Sequence, residues 1–189
     1  MFTCLTIRNL FKNLNNKEKN ISVEIEEPFV NLIIPTQSDK RYMEDGDDIK
    51  WSDAIEFTFP IVGGRVIKVY DGDTITIAAK LPFENSPLYR LAVRLNGIDT
   101  PEMKGKDVTD EEKEAAKQAR EFVTNLVLNK YITLRNIQNE KYGRILADVY
   151  IGDIHLNHLL LKERYAIAYD GGTKISPTSW LKYKITGEL

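Results

Sequence analysis

Cysteine is almost absent from this sequence. Cys4 stands alone, so no internal disulfide framework is available, and a reducing compartment suits the chain. Long apolar runs are missing as well: no stretch approaches the roughly 18 residues of a membrane-spanning helix. Arg8 and Lys12 interrupt the apolar N-terminal stretch, which is therefore not expected to be a secretory signal, and the expected location is intracellular, in the cytoplasm. The residue after Met1 is Phe2 rather than the glycine that N-myristoylation requires. There are only two histidines, His155 and His158, with no cysteine or third histidine beside them, so exposed or capping roles are expected rather than a zinc site. Neither sign of charge dominates: 26 Lys+Arg face 28 Asp+Glu, for a net charge of −2, which argues against a generally basic nucleic-acid binder. Internal repeats and low-complexity tracts are absent.

What is present is enough for a core. The 189 residues are 42% apolar and 29% charged, the balance of a soluble domain with an extension. The acidic excess lies at the front: residues 1–60 carry 7 Lys+Arg and 11 Asp+Glu, leaving a net positive remainder in which a local basic patch can form. We read residues 1–60 as a partly ordered N-terminal extension able to pack on the rest, and 61–189 as the main domain. Within the extension, Phe2, Leu5, Leu10, Phe11 and Leu14 fit a short amphipathic helix. Cys4 there is more simply a plain buried or dangling thiol than an acylated one, which would give weak membrane association through the N-terminus. Residues 12–20 read as a linker or exposed turn, 21–34 alternate like a strand before becoming apolar, and 38–48 form a charged loop. The Asp45-Gly46-Asp47-Asp48 run lacks the spacing and terminal Glu of a calcium loop.

From Gly63 onward the pattern sharpens. Arg65–Tyr70 and Thr74–Ala79 are β-rich and flank Asp71-Gly72-Asp73, a hairpin turn signal. Leu91, Val93 and Leu95 alternate with Ala92, Arg94 and Asn96, giving a third strand with one apolar face. Thr109 and Glu112 have capping-box spacing ahead of a helix with Ala115, Ala119, Phe122, Val123 and Leu126 on one stripe. Two more strands are expected at Tyr131–Ile137 and Ile145–Ile151, then a short helix over 158–164 capped by Asn157, then an extended segment at Ala166–Tyr169. The fold class is thus β-rich α+β: a five-stranded Greek-key OB-fold barrel with two or three helices, plus the N-terminal extension.

Four clusters could carry chemistry, and each has a plain structural explanation. Asp71-Gly72-Asp73-Thr74 can be only a turn whose residues supply backbone angles. Arg94 lies opposite the apolar face of its strand, where arginines are usually solvated. Asp99-Thr100-Pro101-Glu102 can simply prepare the following helix, and Lys141-Tyr142-Gly143-Arg144 can be an ordinary basic hairpin loop.

Taken together, however, DGDT, VRLNGIDTPE and KYGR, followed by the helix and Ala166–Tyr169, closely resemble the staphylococcal thermonuclease (SNase-like) family over about residues 63–175. That resemblance implies an OB-fold enzyme that hydrolyses DNA and RNA phosphodiesters with one Ca²⁺ ion and leaves 3′-phosphate ends. Matched position by position, Asp73 and Asp99 correspond to the calcium carboxylates and Thr100 to a carbonyl ligand. Glu102 corresponds to the general base, and Arg94 and Arg144 to the arginines that grip the scissile phosphate. Lys141, Tyr142 and Tyr169 correspond to substrate-binding positions. The residue types suit the reaction: a hard cation takes oxygen ligands, and two guanidiniums hold a phosphate in a planar fork that lysine cannot reproduce. The resemblance implies single-stranded DNA or RNA as the preferred partner and a monomeric protein.

The sequence also departs from the family pattern. The segment 103–109 is short where a mobile basic loop is expected, and only seventeen residues follow Gly172, with Trp180 as their one large anchor, where the family adds a long final helix. The alternatives are a catalytically inactive SNase-like OB domain that binds nucleic acid or a protein partner, and a calcium-binding structural module.

Overall fold

The computed structural model describes residues 48–189, so the sequence expectations for residues 1–47 (the amphipathic helix, Cys4, the linker, the strand-like 21–34 and most of the 38–48 loop) lie outside the described residues. The chain enters with a short 3-10 turn, Trp51–Asp53, and Trp51 and Ile55 face solvent. It then joins the barrel, where Val62 accepts the Leu134 N–H and Ile61 is buried.

Eight strands follow in chain order: β1 (Gly63–Val69), β2 (Thr74–Ala79), β3 (Tyr89–Leu95), β4 (Ile98–Asp99), β5 (Tyr131–Asn139), β6 (Ile145–Ile151), β7 (Ile154–His155) and β8 (Ile167–Ala168). Three helices are interleaved with them: α1 (Asp110–Val127), α2 (Leu156–Lys162) and α3 (Trp180–Thr186). Antiparallel pairing runs from β3 through β2, β1 and β5 to β6, and a parallel pairing of β3 with β6 closes the ring. The result is a closed five-stranded mixed barrel. It has the OB-type architecture, which leaves none of the five strands with a free edge.

The two-residue alternation of these strands explains the core. Val66, Ile75, Ile77, Val93, Leu95, Ile132, Ile145, Ala147 and Val149 are fully or nearly fully buried. Each of these Val, Ile and Leu side chains contributes about 1.5–3 kcal/mol when removed from water. Helix α1 buries Ala115, Ala116, Ala119, Val123, Leu126 and Val127. Phe122, expected on that stripe, is partly buried and stacks on Tyr165 with ring centroids 4.4 Å apart. Trp180 is buried in α3, which is only seven residues long.

Two expectations need correcting. Asn157 does not cap a helix over 158–164, because α2 already begins at Leu156. Asn157 is buried instead, accepting the Val149 N–H at 2.9 Å and donating to the Asn96 and Ala147 carbonyls at 2.8 and 3.3 Å. Its amide ties β6 to the turn that follows β3, a long-range demand that outweighs local capping. The capping box at α1 is only half formed: Thr109 Oγ1 accepts the Glu112 N–H at 3.1 Å, but the Glu112 carboxylate accepts from the Glu102 N–H instead.

Candidate active site

Strand register assembles the first part of the site. Thr74 pairs with Arg94 across β2 and β3, which sets the Asp73 carboxylate beside the Arg94 guanidinium. An Asn96-Gly97 turn then leads from β3 into β4, Gly97 taking φ +74°, a conformation that costs glycine little. Asp99 is thereby returned to the same guanidinium. Arg94 Nη1 lies 2.7 Å from Asp73 Oδ1, and Nη2 lies 3.0 Å from Asp99 Oδ1. The plain alternative, a solvated strand arginine, does not hold here. Burial opposes the charge on Arg94, but Asp73 and then Asp99 outweigh it and hold the guanidinium even above its usual range.

Both aspartates are deeply buried, with side chains 4% and 6% exposed. Thr74 Oγ1 also donates to Asp73 Oδ1 at 2.9 Å. Thr100 is buried next to Asp99, and the Asp71–Asp73 turn packs on it so closely that a Cβ at Gly72 would meet Thr100 Cγ2 at 2.9 Å. Asp71, read from sequence as a turn residue, turns out to belong to the same cluster. It accepts the Asp73 N–H, and burial together with the neighbouring Asp73 pushes its carboxyl up to about 7. Asp73 and Asp99 thus share one guanidinium, with Asp71 against Asp73, and two carboxylates on one cation call for further positive charge.

Lys174 supplies that charge, and nothing in the sequence pattern singled it out. Its Nζ lies 2.6 Å from Asp99 Oδ2 and 3.5 Å from Glu102 Oε1. Burial works against this ammonium, but Asp99 and then Glu102 raise its affinity for the proton above the ordinary lysine value. The approach depends on β8, which pairs antiparallel with β4 so that Asp99 faces Ile167. Tyr169 follows directly, donating its N–H to the Gly97 carbonyl at 3.0 Å and its hydroxyl to the Gly172 carbonyl at 3.2 Å. Glu102 is half exposed, and its backbone N–H is fixed by Glu112 Oε1 at 3.1 Å.

Arg144 reaches the site along a different route. It immediately precedes Ile145, which pairs with Val93 in the parallel β3–β6 ladder. Glu140 Oε2 accepts from Arg144 Nε at 3.2 Å and from the Tyr142 N–H at 3.0 Å. Partial burial works against ionisation of Glu140, but Arg144 and the Tyr142 N–H hold its carboxyl below the usual range, with a further contribution from Arg94. Lys141 and Tyr142 pack on each other at the hairpin tip, with Nζ 4.9 Å from the ring centroid and Tyr142 largely exposed. His155 lies away from any metal-like grouping and stacks on Tyr150 at 4.6 Å.

Among the described residues, no group of three or more His, Cys, Asp or Glu side chains is arranged to hold a metal ion. The oxygen donors of Asp73 and Asp99 are nevertheless hard and acidic, and the Lys174 ammonium shows that a cation is accommodated against Asp99. The donor set fits a hard divalent ion that keeps several waters.

The closed OB-type barrel thus carries Arg94 between two buried carboxylates and Arg144 against Glu140 on the β5–β6 hairpin. Residues 92–179 match the family described as Staphylococcal nuclease homologue, so this stretch of the chain is similar to SNase-like nucleases. It is 29% identical over 119 residues to an uncharacterized endonuclease of Escherichia coli, covering 60% of this chain and 68% of that protein. It is 33% identical over 106 residues to a thermonuclease of Staphylococcus hyicus, covering 55% of this chain and 57% of that protein. An uncharacterized endonuclease of Haemophilus influenzae is 30% identical over 105 residues, 56% of this chain and 51% of its own length.

Proposed function

We propose that this protein is an endonuclease that hydrolyses phosphodiester bonds of DNA and RNA with little sequence specificity, aided by one Ca²⁺ ion. The observation that carries this reading is the buried Asp73–Arg94–Asp99 cluster, with contacts of 2.7 and 3.0 Å. Burying two carboxylates around one guanidinium is a poor way to stabilise a barrel, since apolar residues of similar volume usually do as well or better. A residual negative charge beside a phosphate-binding arginine is, in contrast, what a cation-assisted hydrolase needs.

In this reading Asp73, Asp99 and the Thr100 carbonyl would hold the ion. When bound, it would polarise a phosphoryl oxygen as a Lewis acid. Arg94 keeps N–H groups beyond those facing Asp73 and Asp99, and these grip a non-bridging phosphate oxygen. Arg144, oriented by Glu140, grips the phosphate from the β6 side. Glu102 accepts a proton from the water that attacks phosphorus, the bond to the 5′ oxygen breaks, that oxygen takes a proton from solvent and leaves as a 5′-hydroxyl, and a 3′-phosphate remains. General-base help of this kind is worth roughly 10²–10⁴-fold. Lys141, Tyr142 and Tyr169 flank the phosphate, where an unpaired base can stack on a ring, which favours single-stranded substrates. Phosphate contacts carry no sequence information, so specificity is low.

The test is incubation of the purified full chain with single-stranded DNA, duplex DNA and RNA, in Ca²⁺ or in EGTA, followed by analysis of the product ends. Cleavage in Ca²⁺ alone, fastest on single strands and giving 3′-phosphates, is expected. Full cleavage by metal-stripped protein in EGTA would overturn the cation-assisted mechanism, and no cleavage under any condition would favour a binding module.

A further inference from the structure

The two cations beside Asp99 divide its oxygens between them. Arg94 Nη2 faces Oδ1 at 3.0 Å, while Lys174 Nζ faces Oδ2 at 2.6 Å and reaches on to Glu102 Oε1 at 3.5 Å. A metal ion bound by Asp99 has only Oδ2 to use without breaking the Arg94 contact, and the Lys174 ammonium already holds that oxygen. A second cation at that oxygen meets the repulsion of the ammonium a few ångströms away, which in a partly desolvated site amounts to several times thermal energy.

The segment that carries Lys174 is built to release it. Residues 171–176 are exposed and have no regular structure between β8 and α3, and Gly171 takes φ +90°. The Tyr169 hydroxyl to the Gly172 carbonyl, at 3.2 Å, steadies the base of this segment but places no restraint on residue 174 itself. The lysine side chain is 32% exposed, so the ammonium can move into water without unpacking the core.

We propose that Lys174 is a built-in competitor of the divalent cation: its ammonium occupies Asp99 Oδ2 in the metal-free protein and must leave for the ion to bind. This rests on the cation-assisted reading above. The lysine keeps the acidic cluster neutralised while the ion is absent and raises the ion concentration at which the site fills.

Calorimetric titration of Ca²⁺ into the EGTA-stripped full chain tests the inference without reference to activity, with thermal melts of the same samples as a folding control. Lys174→Met keeps the aliphatic stem and removes the charge, and it is expected to tighten Ca²⁺ binding about tenfold or more, equivalent to about 1.4 kcal/mol. The Ca²⁺-induced rise in melting temperature should grow in parallel, because an ion that binds only the folded state stabilises it by mass action. Lys174→Arg keeps the charge and should stay close to the wild-type affinity. Equal or weaker Ca²⁺ binding by Lys174→Met overturns the inference while leaving the calcium reading standing. Equal tightening in Lys174→Arg overturns it too, since charge would then not be the agent. Absence of Ca²⁺ binding in every chain, wild type included, removes the calcium reading itself and the inference with it.

Discussion

Glu112 Oε1 accepts the backbone N–H of Glu102 at 3.1 Å, so the first turn of α1 holds the candidate base in place. The cap of that helix is a separate interaction, Thr109 Oγ1 accepting the Glu112 N–H. The two roles can therefore be separated by mutation. Thr109→Ala should cost about 1 kcal/mol of stability with little change in turnover. Glu112→Ala leaves the Thr109 cap intact but frees Glu102, and is expected to lower kcat by about tenfold or more, since small displacements of a catalytic group are costly. Urea unfolding and steady-state kinetics on both variants check this. Equal turnover losses in the two would tie the effect to helix stability instead.

Gly72 sits where the Asp71–Asp73 turn meets the rest of the site. A Cβ there would lie 2.9 Å from Thr100 Cγ2 and 3.0 Å from Ala119 Cβ, both on firmly packed elements. Gly72→Ala should destabilise the barrel by about 1–3 kcal/mol through overpacking. It should also reduce activity beyond what the stability loss explains, because the turn carries Asp73. A denaturant midpoint within error of wild type would show that Thr100 and α1 yield more easily than this packing implies.

The barrel was legible in the sequence because its five strands are β-rich stretches set off by turn signals, one of them alternating over Leu91–Asn96, and such stretches stay recognisable even where register shifts break the alternation in β1 and β5. The two-residue strands β4 and β7 were not, since two residues carry no period, whereas β8 falls inside the extended segment expected at Ala166–Tyr169. The same limit governed the site. Asp73, Arg94, Asp99 and Glu102 lay close enough in sequence for their motif to be read, and the structure draws them together. Lys174 meets Asp99 only through the β4–β8 pairing, 75 residues along the chain, and no local signal marks it. Asp71 could have been found, because its spacing from Asp73 places a second carboxylate on the same turn. Asn157 has capping chemistry but serves β6 and the β3–β4 turn, a demand visible only once those elements are packed.

Lys184 provides a pH signature of its own. Burial lowers its affinity for the proton to about 8 from the model-compound value of 10.5, with Arg164 adding to the effect and Glu163 opposing it. The ammonium is not unpartnered: it donates to the Glu163 carbonyl and lies over the Tyr165 ring. Because the folded value is the lower one, the cost of burying the charge is present in full below about pH 8. It is relieved as the folded protein loses this proton, and is gone above the unfolded value near 10.5. Lys184→Met should therefore raise stability at pH 7, with a gain that shrinks as the pH climbs through that window. Urea titrations at pH 7 and pH 10 make the comparison. A gain that does not change with pH would mean that packing, not charge burial, explains it.

Arg94 and Arg144 are proposed to share one task, yet they sit in different surroundings. Arg94 lies between two carboxylates that are almost wholly buried, whereas Arg144 is 29% exposed and pairs with Glu140 across a hairpin. Lysine at either position keeps the charge but loses the planar fork. In Arg94→Lys one of the two aspartates loses its partner, and an unsatisfied buried charge costs about 1–3 kcal/mol or more. In Arg144→Lys the lost pair is partly solvated and worth about 0–1 kcal/mol. Turnover is expected to fall by about 10²–10³-fold in both, the usual result of removing one preorganised donor from a developing negative charge. Melting curves beside initial rates separate the two effects. Wild-type turnover in a well-folded Arg144→Lys protein would remove that arginine from the phosphate clamp. The same result in Arg94→Lys would reduce the buried triad to architecture and leave nucleic-acid binding without hydrolysis as the better account of this barrel.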